Sequence, residues 1–496
     1  MSVPSGDAYV DTRYMIVAAQ CRLFMRREEL TWAEQRLKSA LTDAQQRGQH
    51  RWVHHFALEL ARLYLDKGDG QSASGVLQTL AVYAQRMDDK FGLAVVLIQQ
   101  LAIAVQARSW SAVDPLLGSL DSLAGDPAMA GVPQVWTRFW VLKAGAMLCR
   151  GRLADAQEAC NCARHALMEW QGVFARQLAT NCASGGSVLV SGGRCIRGWS
   201  YYEAHAWVML ISSYVVPDQT TYEPALRFLS LALEGVARGE ADGAAGSLLP
   251  LKLHIYLRVA DISIAAQSMA DAKQAIDRAL DVSTNSGSFW RKSRDAIALR
   301  WAMYLHRTGN SSEAMDAYRC VTRSIHEDLR FAAQINMAVL QLVEPTVLEC
   351  RETLRSTISG LVQAIEVLPN GPHESVRRAL LELVQGIGTE EPVKSKTHLL
   401  ACLRICSDTA DSVLQAWTLC LLATLVLPAG QYEQAMRMCA AGQSIAQNAN
   451  DPLQKAAAIG ILSHVEHAVG DPERRAKLLE IDQQCLEQFN ARIQDC

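Results

Sequence analysis

A short side chain recurs about every 40 residues near the start of this chain, at Ala33, Ala73, Val113 and Ala156, and Ala435 fills the same position far downstream. Each stands in the second of two apolar helical patterns joined by a tight turn. The clearest copy runs from Leu419 to Gly442. Leu419, Leu422, Ala423 and Val426 recur at steps of three and four, which stacks them on one helix face. After Pro428-Ala429-Gly430, the residues Tyr432, Ala435, Cys439 and Gly442 repeat the pattern. Two antiparallel helices close tightly only where the facing side chains are short, so Ala423, Ala435 and Gly442 govern the pairing.

The N-terminal copies read alike. Val17, Cys21 and Phe24 precede Leu30, Ala33, Leu37 and Ala40. Ala57, Leu60, Ala61 and Tyr64 lead through Gly68 to Ala73, Leu77 and Leu80. Leu97, Leu101 and Ala104 turn near Arg108 into Val113, Leu117 and Leu120. Trp140, Ala144 and Met147 turn at Gly151 into Leu153, Ala156, Cys160 and Ala163. Such pairs specify an all-α chain, a TPR-like helical-repeat superhelix (α-solenoid). The common repeat has about 34 residues, so the longer period here implies helices about a turn longer, or longer links.

The expected organisation is N-terminal repeats over 9–180, a glycine-rich insertion loop over 181–198, central repeats over 199–330, irregular helical repeats over 331–410, and C-terminal repeats with a capping helix over 411–496. In the irregular part, helices are expected over Phe331–Leu342, Thr346–Val367, Glu374–Val384 and Lys394–Ile405. The polar helix Pro472–Ile493 suits the wetter outer face that an array needs at its end. The insertion, NCASGGSVLVSGGRCIRG, has the glycine and serine content of a surface loop. It contains no GxxxxGK[ST] and no surrounding strand–loop–helix unit, which argues against a phosphate cradle.

At 496 residues the chain exceeds one compact core, and a net charge of −3 provides no basic field for direct, non-specific grip on nucleic acid. Its fourteen cysteines lack paired spacing and the opening MSVPSGDAYVDTRY has no apolar signal core. A soluble intracellular protein with free thiols is expected. The apolar runs Phe91–Ile98 and Trp417–Leu427 are too short to span a bilayer.

Chemistry is sparse. Cys160, Cys162 and His165 lie close, but a structural zinc site needs four converging ligands and no second cluster has matching spacing. Cys402 and Cys406 sit among Leu399, Leu403 and Ile405, as core thiols do. There is no GxSxG, no HExxH and no cysteine-protease context. The carboxylate pairs Glu28-Glu29, Asp88-Asp89 and Glu390-Glu391 fall at turns or helix ends, where solvation explains them. His54-His55 and the doublets Arg26-Arg27, Arg377-Arg378 and Arg474-Arg475 form no recognisable constellation. No catalytic residue, cofactor or metal is expected, and the chain reads as a non-enzyme.

What remains is a groove. In a TPR superhelix the first helix of each pair lines the concave side, where extended peptides bind. Extending the register places Arg62, Trp207, Tyr214, Met303 and Trp417 on that lining. They would either hold a partner's apolar anchors and charges or, for Trp207 and Trp417, pack against neighbouring repeats. The pattern also suits a subunit of the anaphase-promoting complex, a motor cargo adaptor or the sensor region of a bacterial TPR-type regulator.

Three stretches carry a resemblance: Ala410 to Phe489, containing SIAQNANDPLQKAAAIGIL and GDPERRAKLLEIDQQ; Leu77 to Leu120; and GWSYYEAHAWVMLISSYVV, Gly198 to Val216. Their order and the roughly 40-residue period resemble the cohesin loading factor family, the TPR subunit of the cohesin loader. Relative to that family, SGGSVLVSGG is an insertion. The resemblance implies a scaffold that wraps the extended N-terminal segment of the large HEAT-repeat loader subunit (Nipped-B type). It further implies indirect association with cohesin and chromatin, a nuclear location and a role in sister-chromatid cohesion.

Overall fold

The computed structural model describes residues 6–27, 29–184, 200–216, 222–241, 245–284, 287–343, 358, 362, 372–389, 391–409, 412–448, 452–469 and 472–494. Among them are twenty-one α-helices, one short 3-10 turn and no strand. The chain divides into two compact units: Met1–Ala146 with Ala154–Val208, and Met147–Leu153 with Met209–Cys496.

In the first unit the helices are α1 (Gly6–Arg26), α2 (Leu30–Gln46), α3 (His50–Asp66), α4 (Gly70–Arg86), α5 (Lys90–Gln106) and α6 (Trp110–Ala124). After a 3-10 turn at Pro127–Met129 come α7 (Pro133–Cys149), α8 (Leu153–Ser184) and the start of α9 (Tyr201–Val215). Helices α2 to α5 each have 17 residues and three-residue links. Two such helices with their links make up the 40-residue repeat, so the excess over 34 resides in helix length.

The links share one geometry. Their middle residues are left-handed: Gly48 (φ 62°), Gly68 (φ 77°), Asp88 (φ 50°) and Arg108 (φ 53°). Asp69 N donates to Tyr64 O at 2.8 Å and Gly68 N to Leu65 O at 2.9 Å, the double closure of a Schellman turn. The longer-range bond recurs from Gln49 to Ala44, Asp89 to Ala84 and Ser109 to Ala104. Asp69 and Asp89 then cap the next helix, accepting from Ser72 N and Gly92 N. One residue closes the outgoing helix and its neighbour opens the incoming one.

The second unit takes in the end of α9, then α10 (Glu223–Gly239), α11 (Ala245–Ala265), α12 (Met269–Thr284), α13 (Gly287–Arg307), α14 (Ser311–Val321) and α15 (Glu327–Val343). It continues with α16 (Pro372–Gly388), α17 (Pro392–Thr409), α18 (Ser412–Val426), α19 (Tyr432–Asn448), α20 (Pro452–Val469) and α21 (Pro472–Gln494). The left-handed turn reappears at Gln267, Gly309 and Gly430.

The recurring small residues are the fourth of their helices. Ala33, Ala73, Val113 and Ala156 in the first unit, and Ala272, Ala314 and Ala435 in the second, have no exposed surface. One turn on, Leu37, Leu77, Leu117, Cys160, Ile276, Tyr318 and Cys439 are buried as well. Where α19 packs on α18, a Cβ on Gly442 would stand 3.2 Å from Cys420 Sγ and 3.4 Å from Ala416 O. The close pairing read from Ala423, Ala435 and Gly442 is thus realised in side-chain packing.

Two expectations shift. Helix α8 continues through Ser184, into the stretch expected to be loop, because Asn181 to Ser184 contains no strong breaker and the first glycines come only afterwards. The remainder of the glycine-rich segment, 185–199, lies outside the described residues. So does most of the expected helix Thr346–Val367, of which only positions 358 and 362 are described, both helical.

Candidate partner-binding surface

The first helices of successive pairs are joined by polar side chains. In the first unit, Arg22 of α1 meets Glu59 of α3 at 3.7 Å, although Glu59 is only 7% exposed. Arg138 of α7 donates to Gln99 of α5 at 3.1 Å and lies in the field of Glu203 of α9. Burial pushes the Arg138 pKa down to about 10 against the pull of Glu203. Burial also raises Glu203, opposed by Arg138. Each charge is there because the other partly compensates its lost hydration.

In the second unit the same arrangement links α9, α11 and α13. Arg300 grips Asp261 through two bonds, Nε to Oδ1 at 2.9 Å and Nη2 to Oδ2 at 2.8 Å. Burial acts to lower the Arg300 pKa, but Asp261 outweighs it and the net direction is up. Arg258 donates to Ser213 O at 3.3 Å and its guanidinium carbon stands 4.0 Å over the Tyr214 ring. Tyr214 is 43% exposed, yet desolvation around its hydroxyl raises its pKa. Further on, Arg377 is buried, paired with Glu327 and Asp328 and set over Phe331. It belongs to the packing, not to an open basic face with Arg378.

The five residues expected on a groove lining have different surroundings. Arg62 is exposed on α3, a helix whose other side chains are mostly buried. Trp207 is half-buried on α9, within the first unit. Met303 is half-buried and packs on the core between α13 and α14. Trp417 is half-buried on α18. Tyr214 is brought into a charged cluster, with Arg258, Asp261 and Arg300. Sequence reasoning overlooked those three. Asp261 and Arg300 are 39 residues apart, as are Gln99 and Arg138, so opposite or complementary polar residues one repeat apart were the available signal.

Among the described residues no group of three or more His, Cys, Asp or Glu converges on a common point, and no helix is long and apolar enough to cross a membrane. Cys160 is buried, while His165 points to solvent beside Glu169 at 3.4 Å. Cys402 and Cys406 are buried, 3.8 Å apart, in the core between α16, α17 and α18.

Residues 6–161 and 245–473 match the model of the cohesin loading factor family. The chain belongs to that family. As a cohesin loading factor it serves cohesin loading, a chromosome-related role, through a helical-repeat scaffold of a non-catalytic kind. The stretch between the matched blocks, 162–244, holds the glycine-rich segment together with α9 and α10. Among curated proteins no sequence matches this cohesin loading factor. Among solved structures, the APC/C hetero-tetramer Cut9–Hcn1 is 11% identical, covers 98% of this chain and 97% of its own, and has a TM-score of 0.36. The apo form of RapI is 10% identical, covering 80% and 87%, with a TM-score of 0.33. Yeast Tom70 is 11% identical, covering 95% and 99%, with a TM-score of 0.32.

Proposed function

We propose that this cohesin loading factor is a non-enzymatic scaffold that holds the extended N-terminal segment of the large HEAT-repeat loader subunit along the first helices of its repeats. Through that subunit it would serve cohesin and chromatin in the nucleus and support sister-chromatid cohesion. The observation that carries the reading is the row of polar contacts between successive first helices, with Tyr214 and Arg62 exposed on two of them. A long binding surface suits a segment that folds on binding, because many contacts must offset its ordering entropy. Arg62, Trp207, Tyr214, Met303 and Trp417 are the proposed contacts, with repeats 9–180, 199–330 and 411–496 as its structural blocks, 331–410 as an irregular connector and 181–198 as an inserted loop.

The test is affinity capture with the full chain, washed at high salt, followed by mass spectrometry of what stays bound. Recovery of a large HEAT-repeat protein, and its loss when Arg62→Glu, Trp207→Ala, Tyr214→Ala, Met303→Glu and Trp417→Ala are combined, supports the reading. Capture of cyclosome subunits or motor chains instead, or unchanged capture by the combined variant, refutes it.

A further inference from the structure

Arg258 and Arg300 stand on adjacent first helices of the second unit but have different electrostatic surroundings. Arg300 has its carboxylate: both Asp261 oxygens are committed to it. Arg258 has none among the described residues. It makes one hydrogen bond, to a backbone carbonyl at 3.3 Å, and its buried Nε has no acceptor. A guanidinium has five donors and stays charged, so one long bond and a ring face compensate it only in part.

The neighbours leave that charge uncancelled. Asp261 is neutralised by Arg300. His254, one turn before Arg258 on α11, has its pKa lowered by desolvation and by Arg300, so it adds no charge at neutral pH. Tyr214 is neutral there, its pKa being raised. The local balance is one positive charge beside a tyrosine open to solvent, on the surface of α11 where it meets α9 and α13. An exposed aromatic ring beside an under-bonded arginine is the composition of an interface hot spot.

We infer that Arg258 and Tyr214 form a docking point for one acidic side chain, Asp or Glu, of the bound segment. This deepens the reading given under Proposed function and rests on it. The carboxylate takes donors at the terminal nitrogens of the guanidinium, the buried Nε staying inside the fold, and the methylenes of the acidic side chain lie against the open part of the Tyr214 ring. A single net positive charge suits one carboxylate and offers no track for a nucleic-acid backbone.

The experiment uses the full chain and the fluorescently labelled N-terminal segment of the large loader subunit, with binding read by anisotropy. Arg258→Gln should weaken binding about tenfold while its melting curve stays close to that of the unmodified protein. One Asp→Asn or Glu→Gln change in the segment should cost the same factor and have no further effect against Arg258→Gln. Arg258→Lys should recover only part, since the ammonium lacks the planar fork. Should Arg258→Gln melt early, the segment variants measured against Arg258→Lys carry the same comparison. If the segment binds but Arg258→Gln binds equally well, or the two losses simply add, the docking point is wrong and the scaffold reading stands. If binding requires phosphorylation of the segment, the acidic side chain is wrong. If the unmodified chain does not bind the segment, the scaffold reading itself fails, and the docking point with it.

Discussion

Asp261 and Arg300 lie 39 residues apart and meet through two parallel hydrogen bonds between α11 and α13. Their side chains are 23% and 19% exposed, so water screens the pair only partly. Removing one partner strands the other. Asp261→Ala should therefore destabilise by about 2–3 kcal/mol, with Arg300→Ala similar. The double variant should cost clearly less than the sum, with a coupling of about 1–3 kcal/mol in a denaturant-based cycle.

Gly92 opens α5 against the His54 ring. A Cβ there would come within 2.4 Å of His54 Cε1 and 2.6 Å of Asp89 Oδ2. Gly92→Ala should cost about 1–3 kcal/mol by overpacking, and His54→Ala in the same chain should recover much of it. Gly75, inside α4, meets nothing within 4 Å. There the same substitution should stabilise by about 0.5–1 kcal/mol, because alanine is the better helix former. Thermal melts of the three variants decide the matter.

Glu34 bonds to Lys38, Lys67 and Tyr64, and these hydrogen bonds, led by Lys38, hold its pKa down to about 2. A depressed carboxylate pKa contributes stability that is present above about pH 4.5 and is lost as the pH falls towards 2. Glu34→Gln should thus lower the melting temperature modestly at pH 7. The gap between the two proteins should close between pH 4.5 and 2 rather than at higher pH.

Burial pushes the Cys420 thiol up to about 11 and the Cys439 thiol up to about 12. Cys320 is exposed. Since the thiolate is the reacting form, iodoacetamide at neutral pH should label Cys320 well before Cys420 or Cys439. Peptide mass spectrometry over a time course reads the order directly, and equal rates would contradict the packing of α18 on α19.

Ala435→Leu should destabilise by about 1–3 kcal/mol, because the fourth position of α19 is sealed against Ala423 and Val426. The same change at Ala440, exposed on that helix, should have little effect. Paired urea titrations separate the two.

The helix pairs were legible because helical periodicity and short facing residues act locally. Ala33, Ala73, Val113 and Ala156 could be aligned without knowing what lay opposite them. The turns were half legible. Gly68 and Gly151 mark left-handed positions openly, whereas Asp88 and Gln267 adopt the same conformation without the usual residue, held by the Schellman bonds on either side. The surface was the least legible part. Register extended from the pairs reached Tyr214, but which arginine would find a carboxylate depends on how α9, α11 and α13 sit together. Met303, reached by the same extension, also packs in part on the α13–α14 core, a contact that spacing alone does not show.

The left-handed residues Gly48, Gly68, Asp88 and Arg108 fall at intervals of 20, alternating between the ends of second and first helices. A chain with that metre can lose or duplicate 40 residues and still present every downstream helix with its former side outward. An insertion or loss of 20 would exchange the positions of the two helices in every later pair. Length variation in such an array is therefore quantised, and its unit is the hairpin rather than the helix.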